Sequence, residues 1–219
     1  MAKKLDRFAD NEKSKNIIQV GKPLYDEIRG NWGKKFFNNR HDIVLELGCG
    51  DGLFTTEMAR MFPQRNFIGV DIKGSRIWVG SQKAKTEELT NVAFLRTQAG
   101  HLDRFLGPGE VCEIWLTFPD PRPKRREEKK RLSHPRFLDL YNSILSDDGC
   151  IHLKTDDSGL YRYTEEVLEK RRDFKTVIST GNLYKMKYIP DYQNIKTKYE
   201  QKFLSLGKSI KYIKSTVRR

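Results

Sequence analysis

The ten residues Ile43-Val44-Leu45-Glu46-Leu47-Gly48-Cys49-Gly50-Asp51-Gly52 constrain the fold of this chain more than any others. An apolar, strand-favouring run enters a turn holding three glycines, and a helical pattern begins at Leu53. Strand, glycine-rich turn and helix together open a βαβ unit, whose crossover returns the chain to a parallel strand. The alternation continues downstream. Helix is expected from Leu53 to Phe62, strand from Phe67 to Val70, helix from Ser75 to Leu89 and strand from Val92 to Leu95. A short helix then runs to Leu106, followed by strand from Val111 to Phe118, helix from Pro135 to Leu145, strand from Cys150 to Lys154 and helix from Leu160 to Lys170. Such a series predicts an α/β fold with a mostly parallel sheet and helices on both faces. Phe174 to Ile178 and Tyr199 to Leu206 are expected to add a final antiparallel pair. Residues 1–30 read as a charged arm, 31–219 as one domain, and the lysine-rich stretch from about 208 as a mobile basic tail.

The chain of 219 residues carries a formal charge of +13, with a pI near 9.6. That excess suits a polyanion, either nucleic acid or an anionic membrane surface. No apolar run reaches the roughly eighteen residues of a membrane span, and the N-terminus lacks the apolar core of a signal peptide. A soluble, cytoplasmic protein is expected. Cys49, Cys112 and Cys150 are odd in number and lack a C-x-x-C spacing, so they read as reduced thiols. The four histidines lack metal-ligand spacing, and no metal is expected.

The glycine-rich turn lets a ligand approach the backbone. It is not the dinucleotide fingerprint G-x-G-x-x-G, because Leu53 stands where the third glycine belongs. Asp51 would repel a pyrophosphate at the helix N-terminus but tolerates a cationic ligand. S-adenosylmethionine fits, since it has no phosphate and carries an ammonium and a sulfonium. Asp71 follows Gly50 by 21 residues and ends the second strand, where an acid accepts hydrogen bonds from ribose hydroxyls. Gln98, after the third strand, is placed near the adenine by topology.

From Phe118 the chain reads F-P-D-P-R-P-K-R-R-E-E-K-K-R-L. Phe118, Asp120 and Arg122 each precede a proline and are expected to be extended. The Asp120 carboxylate then lies just past a strand's carboxyl end, at the edge where open α/β sheets bind ligands; the alternative is a residue that shapes a turn. Seven basic residues against two acidic ones follow directly from Arg122 to Arg131. They read as a nucleic-acid contact, or otherwise as a solvated charged face.

Five ordered motifs make the chain resemble the bacterial tRNA (guanine-N7-)-methyltransferases: L-E-L-G-C-G at Leu45 to Gly50, G-V-D at Gly69 to Asp71, F-P-D-P at Phe118 to Pro121, K-T-D at Lys154 to Asp156 and T-K-Y-E at Thr197 to Glu200. The resemblance implies a class I S-adenosylmethionine-dependent methyltransferase fold, Rossmann-like, with a seven-stranded sheet. It implies S-adenosylmethionine as donor and, as acceptor, a guanosine in the variable loop of tRNA (position 46). Carried over by motif, Glu46, Gly48, Gly50, Asp71, Gln98 and Asp120 line the donor site. Lys124, Asp156, Thr197, Lys198, Tyr199 and Glu200 contact the acceptor, with Asp156 and Glu200 open to a structural role instead. Arg122 stands where the family usually has tryptophan, and Gln98 where an acid or asparagine is more usual. Guanine N7 has a lone pair and no proton to lose, so orientation matters more than a base. Asp120 is the catalytic candidate, accepting from the guanine N1–H/N2–H edge and stabilising the positive charge that methylation creates. The rival readings are a non-catalytic RNA-binding protein on this fold and a class I methyltransferase with another acceptor. A monomer or homodimer with no required protein partner is expected.

Overall fold

The computed structural model describes residues 4–187 and 195–219. Its centre is an eight-stranded sheet built from β1 (Ile17–Ile18), β2 (Ile43–Leu47), β3 (Asn66–Asp71), β4 (Val92–Arg96), β5 (Val111–Thr117), β6 (Leu145–Thr155), β7 (Phe174–Thr180) and β8 (Lys211–Val217). The spatial order is β1-β4-β3-β2-β5-β6-β8-β7. β1 to β6 run parallel, and β8 pairs antiparallel with both β6 and β7. The order reverses between β2 and β5, which opens a crevice at their carboxyl ends.

The central strands are largely apolar because both faces are covered. Leu45, Leu47, Ile114 and Leu116 point into one core layer with Leu138 and Tyr141 of α4 (Pro135–Ile144) and Leu160 and Leu168 of α5 (Ser158–Glu169). Their alternates Val44 and Trp115 point into the other layer, with Phe54 and Met58 of α2 (Leu53–Met61) and Ile77 and Ala84 of α3 (Gly74–Thr86). This two-residue alternation is the strand period. Gly52, which leads into α2, has φ of +70°, and a Cβ there would meet the Phe94 ring at 2.5 Å. Only glycine brings the turn this close to the sheet.

Several expectations change. The sheet has eight strands rather than seven, because Ile17–Ile18 pairs with β4. The arm is also folded: α1 (Lys4–Lys13) lies on α3, with the Asn11 side chain donating to the Gly74 carbonyl at 2.8 Å and Trp78 Nε1 donating to Asp10 at 2.9 Å. Its first three residues lie outside the described residues. Finally, Tyr199 to Leu206 is not a strand but falls in α6 (Lys198–Ser205). Thr197 caps that helix, its hydroxyl accepting from the Glu200 N–H at 3.1 Å, so T-x-x-E here is a helix start.

The antiparallel strand comes instead from the stretch read as a mobile tail. Lysines dominate its composition, yet Tyr212, Ile213, Ser215 and Val217 of β8 are buried. Because β8 is the only link between β7 and β6 in the strand order, truncation after Gly207 is expected to abolish cooperative unfolding. Circular dichroism during heating checks this; a truncated chain melting within about 3 °C of the full one, a loss near 1 kcal/mol, would show that β8 is dispensable.

Candidate active site

A cleft of about 760 Å³ opens at the carboxyl ends of β2 to β5. Its floor is the turn after β2. Gly50 sits at φ +58° with open space where a Cβ would project, so its backbone is accessible to a ligand. The turn is tied to the next strand by Asp71, whose Oδ2 accepts from the Gly50 N–H at 3.0 Å and whose Oδ1 accepts from the Lys73 N–H at 2.8 Å. Each oxygen keeps a second lone pair for a ligand hydroxyl. Gly48 also lines the cleft, and Ile72, 55% exposed, offers an apolar lip beside Asp71.

Glu46 lies beneath this turn and is only 4% exposed. Its carboxylate takes hydrogen bonds from the hydroxyls of Thr55 on α2 and Thr117 at the end of β5. Burial pushes its pKa up to about 7 against those two hydrogen bonds, with nearby Asp51 adding a small upward push. The carboxyl is therefore poised between charge states, and a cationic ligand would favour the ionised form. Open glycine backbone, a paired acid at the end of β3 and a buried carboxyl together fit the cationic, phosphate-free S-adenosylmethionine.

The opposite wall is the proline-rich loop. Phe118 and Arg122 are not extended as the following prolines would suggest, but have φ of +49° and +47°. Tertiary contacts override the local preference. The Phe118 N–H donates to the Lys154 carbonyl at 2.8 Å, and its ring packs 5.8 Å from that of Phe203 on α6. The Arg122 carbonyl accepts from Arg131 at 3.3 and 3.1 Å. Each such conformation costs about 1–3 kcal/mol, and these cluster at functional sites. Asp120, between them, lines the cleft with its side chain 61% exposed.

α6 closes the third side. Thr197, Lys198 and Tyr199 line the cleft, and Lys198 Nζ pairs with Asp51 Oδ2 at 2.8 Å. Asp156 also lines it, paired with Lys208 at 2.6 Å.

Glu200 does not face the cleft, which corrects its assignment to the acceptor. It is fully buried, with Oε2 paired to Lys154 Nζ at 2.7 Å and Oε1 accepting from the Tyr184 hydroxyl at 2.7 Å. Burial lowers the Lys154 pKa, with Glu200 opposing the fall. Lys154 and Tyr184 escaped the sequence reading because a lysine within a strand carries no local sign of burial; the T-x-x-E capping signal was the available clue to α6. Gln98 is exposed and outside the cleft, whose wall is formed there by its neighbours Thr97 and Ala99. Lys124 is exposed and also outside the cleft, just before the 3₁₀ turn Arg125–Lys130. Lining residues that sequence missed include Arg76 and Leu132.

Among the described residues, metal-type donors converge at Glu113, Cys150 and His152, all within 4.8 Å of one another. They are engaged by protein partners: Glu113 by Arg65 at 2.8 Å and Trp115 Nε1 at 3.0 Å, and His152 Nδ1 by the Tyr212 hydroxyl at 2.8 Å. None of the three lines the cleft.

The chain is similar to known proteins at two levels. In backbone, the chain is similar to the 16S rRNA methyltransferase KamB (TM-score 0.65, 16% identity, covering 93% of this chain and 99% of that one) and to a SAM-dependent methyltransferase from Aquifex aeolicus (TM-score 0.55, 12% identity, 96% and 98%). That likeness shows the class I methyltransferase fold. In sequence, residues 40–213 match the family described as "Putative methyltransferase". The chain is 44% identical over 220 residues to a tRNA (guanine-N(7)-)-methyltransferase of Christiangramia forsetii, spanning 98% of both. It is 48% identical to one of Porphyromonas gingivalis, over 85% of this chain and 75% of that one, and 40% identical to one of Geobacillus thermodenitrificans, over 83% and 82%. With the glycine turn, the paired acid after β3 and the F-P-D-P loop all meeting in one cleft of that fold, the chain belongs to the tRNA (guanine-N7-)-methyltransferase family.

Proposed function

We propose that this chain methylates N7 of a guanosine in the tRNA variable loop, with S-adenosylmethionine as donor. The observation that carries the reading is the convergence of Glu46, Asp71 and Asp120 on one cleft beside the basic run from Arg122 to Arg131. Glu46, Gly48, Gly50 and Asp71 hold the donor, which supplies an electrophilic methyl group on a sulfonium. Asp156, Thr197, Lys198 and Tyr199 meet the acceptor, and Lys124, Arg125 and Arg126 meet its phosphates outside the cleft. Glu200 acts through Lys154, keeping α6 in place. No metal is assigned a part, and the protein works in the cytoplasm.

Guanine N7 presents a lone pair, so the side chains have no proton to remove from it. Asp120 instead accepts from the base's N1–H and N2–H, which fixes the ring and orients N7. Methylation makes the base cationic, and the adjacent carboxylate stabilises that charge as it develops. The test is incubation of unmodified tRNA with the protein and methyl-labelled donor, followed by reductive strand scission at 7-methylguanosine. Labelling without scission points to another acceptor, and tRNA binding without label points to a non-catalytic RNA-binding protein.

Asp120→Asn keeps the shape and removes the charge. Single-turnover methyl transfer on pre-bound tRNA with saturating donor is expected to fall on the order of 10²–10³-fold, with the melting temperature unchanged. A rate near that of the parent would leave Asp120 as a turn residue.

Glu46 generates a pH dependence. With its pKa at about 7 in the free protein, the carboxyl is protonated below that pH and must release a proton to pair with a cation. Donor affinity is therefore expected to rise as pH increases from about 5.5 to 7, by at most tenfold per unit. Calorimetry in buffers of different ionisation enthalpy should show proton release in this range. Glu46→Gln should bind with a flat profile and no proton release; a parent protein that is equally flat would remove Glu46 from the donor site.

A further inference from the structure

Asp120 is not free to serve a base. Its Oδ2 lies 3.0 Å from Arg122 Nε and its Oδ1 accepts from the Arg122 backbone N–H at 3.3 Å. Oδ1 keeps a lone pair beyond the backbone N–H, but Oδ2 is engaged by the guanidinium and has to be released to accept squarely from a guanine N–H. To stabilise a cationic base the carboxylate needs its net charge, which the guanidinium cancels. A cation at that spot would also repel the methylated ring. The contact seen in the structure is thus incompatible with the role assigned to Asp120.

The surroundings let the side chain leave without rebuilding the loop. The Arg122 carbonyl is pinned by two N–H groups of Arg131, and Arg131 is itself stacked over the Tyr163 ring at 4.3 Å. Backbone and side chain are therefore decoupled. Among the described residues the guanidinium has one other partner, Glu127, at 3.4 Å from its Nη1, and Glu127 is shared with Lys130 at 3.7 Å. At 37% exposure the guanidinium stands at the cleft mouth, next to the run of basic residues that faces solvent. A phosphate group offers an arginine a stronger, bidentate partner than an exposed carboxylate held through Nε.

Resting on the reading of Asp120 as the guanine-contacting group, we infer that Arg122 is an exchangeable counter-ion. It neutralises Asp120 in the free protein and passes to a tRNA phosphate when the substrate docks, releasing the carboxylate for the base. The exchange makes the charge of Asp120 available only once RNA is in place. Arg122 is a positioning residue in this scheme, acting on the base through Asp120.

The exchange can be read by binding alone, on tRNA whose target guanosine is replaced by adenosine so that Asp120 gains nothing from the base. Docking must then break the Asp120–Arg122 pair with Arg122 regaining a phosphate but Asp120 gaining no partner from the base. Asp120→Asn, by releasing Arg122 in advance, is expected to tighten binding roughly two- to fivefold, the scale of an exposed ion pair. In the Arg122→Gln background the same substitution should have no effect. Arg122→Gln alone should weaken binding and reduce the slope of log affinity against log salt by about one, the signature of one lost phosphate contact. Asp120→Asn that fails to tighten binding, tightening that persists without Arg122, or an unchanged salt slope would each overturn the exchange. The catalytic reading is judged separately, by single-turnover rates on tRNA carrying the guanosine; Asp120→Asn at parental rate would sink that reading whatever the binding data show.

Discussion

Lys154 ties together the two walls between which a substrate must fit. Its carbonyl accepts from the Phe118 N–H and starts the proline loop; its ammonium reaches Glu200 and seats α6. One residue near the end of β6 thereby sets both the loop that carries Asp120 and the helix that carries Lys198 and Tyr199. The pair is almost wholly buried, with Lys154 1% exposed and Glu200 0%. Removing both charges from water cancels much of their attraction, so such a pair adds little net stability, whereas loss of one partner typically costs about 3–5 kcal/mol. Its value here is geometric. The Tyr184 hydroxyl occupies the other carboxylate oxygen, which leaves Glu200 only one satisfied arrangement.

Five acids, Glu46, Asp51, Asp71, Asp120 and Asp156, meet in the cleft of a strongly basic protein, and they are compensated in three ways. Burial moves Glu46 toward its neutral form. Asp71 takes two backbone N–H groups. Asp51, Asp156 and Asp120 hold Lys198, Lys208 and Arg122. These last three pairs are at least partly exposed and so individually weak and screened by salt. A polyanion brings phosphates that compete for the same lysines and arginine, while a cationic donor competes for the acids. Both substrates of the proposed reaction thus find partners already charged and loosely held.

Backbone strain follows the same map. Of the four non-glycine residues at positive φ among those described, Phe118 and Arg122 flank Asp120. Each bears on the carboxylate's position: Phe118 through its hydrogen bond to β6 and its packing on α6, Arg122 through the clamp of Arg131. The prolines stiffen the loop, but the tertiary hydrogen bonds choose its shape.

Sequence alone determined the strand-turn-helix order from Ile43 to Lys170, because apolar period, glycine and proline are local properties of the chain. It also placed Glu46, Asp71 and Asp120 at one edge of the sheet, since each sits at or just beyond the carboxyl end of a strand, and motif order indicated the family. What it could not determine was set by contacts distant in sequence. β8 reads as a lysine-rich tail until β6 and β7 supply partners on both sides, and the stretch Tyr199 to Leu206 becomes a helix under the Thr197 cap. Glu200 looks like a surface acid until Lys154, 46 residues earlier, draws it into the interior. The left-handed turns at Phe118 and Arg122 run against what their prolines favour, and the hydrogen bond to β6, the packing of α6 and the reach of Arg131 supply the free energy to hold them. Period and turn chemistry are written in neighbouring residues, whereas burial of charge and strained backbone exist only where remote segments meet.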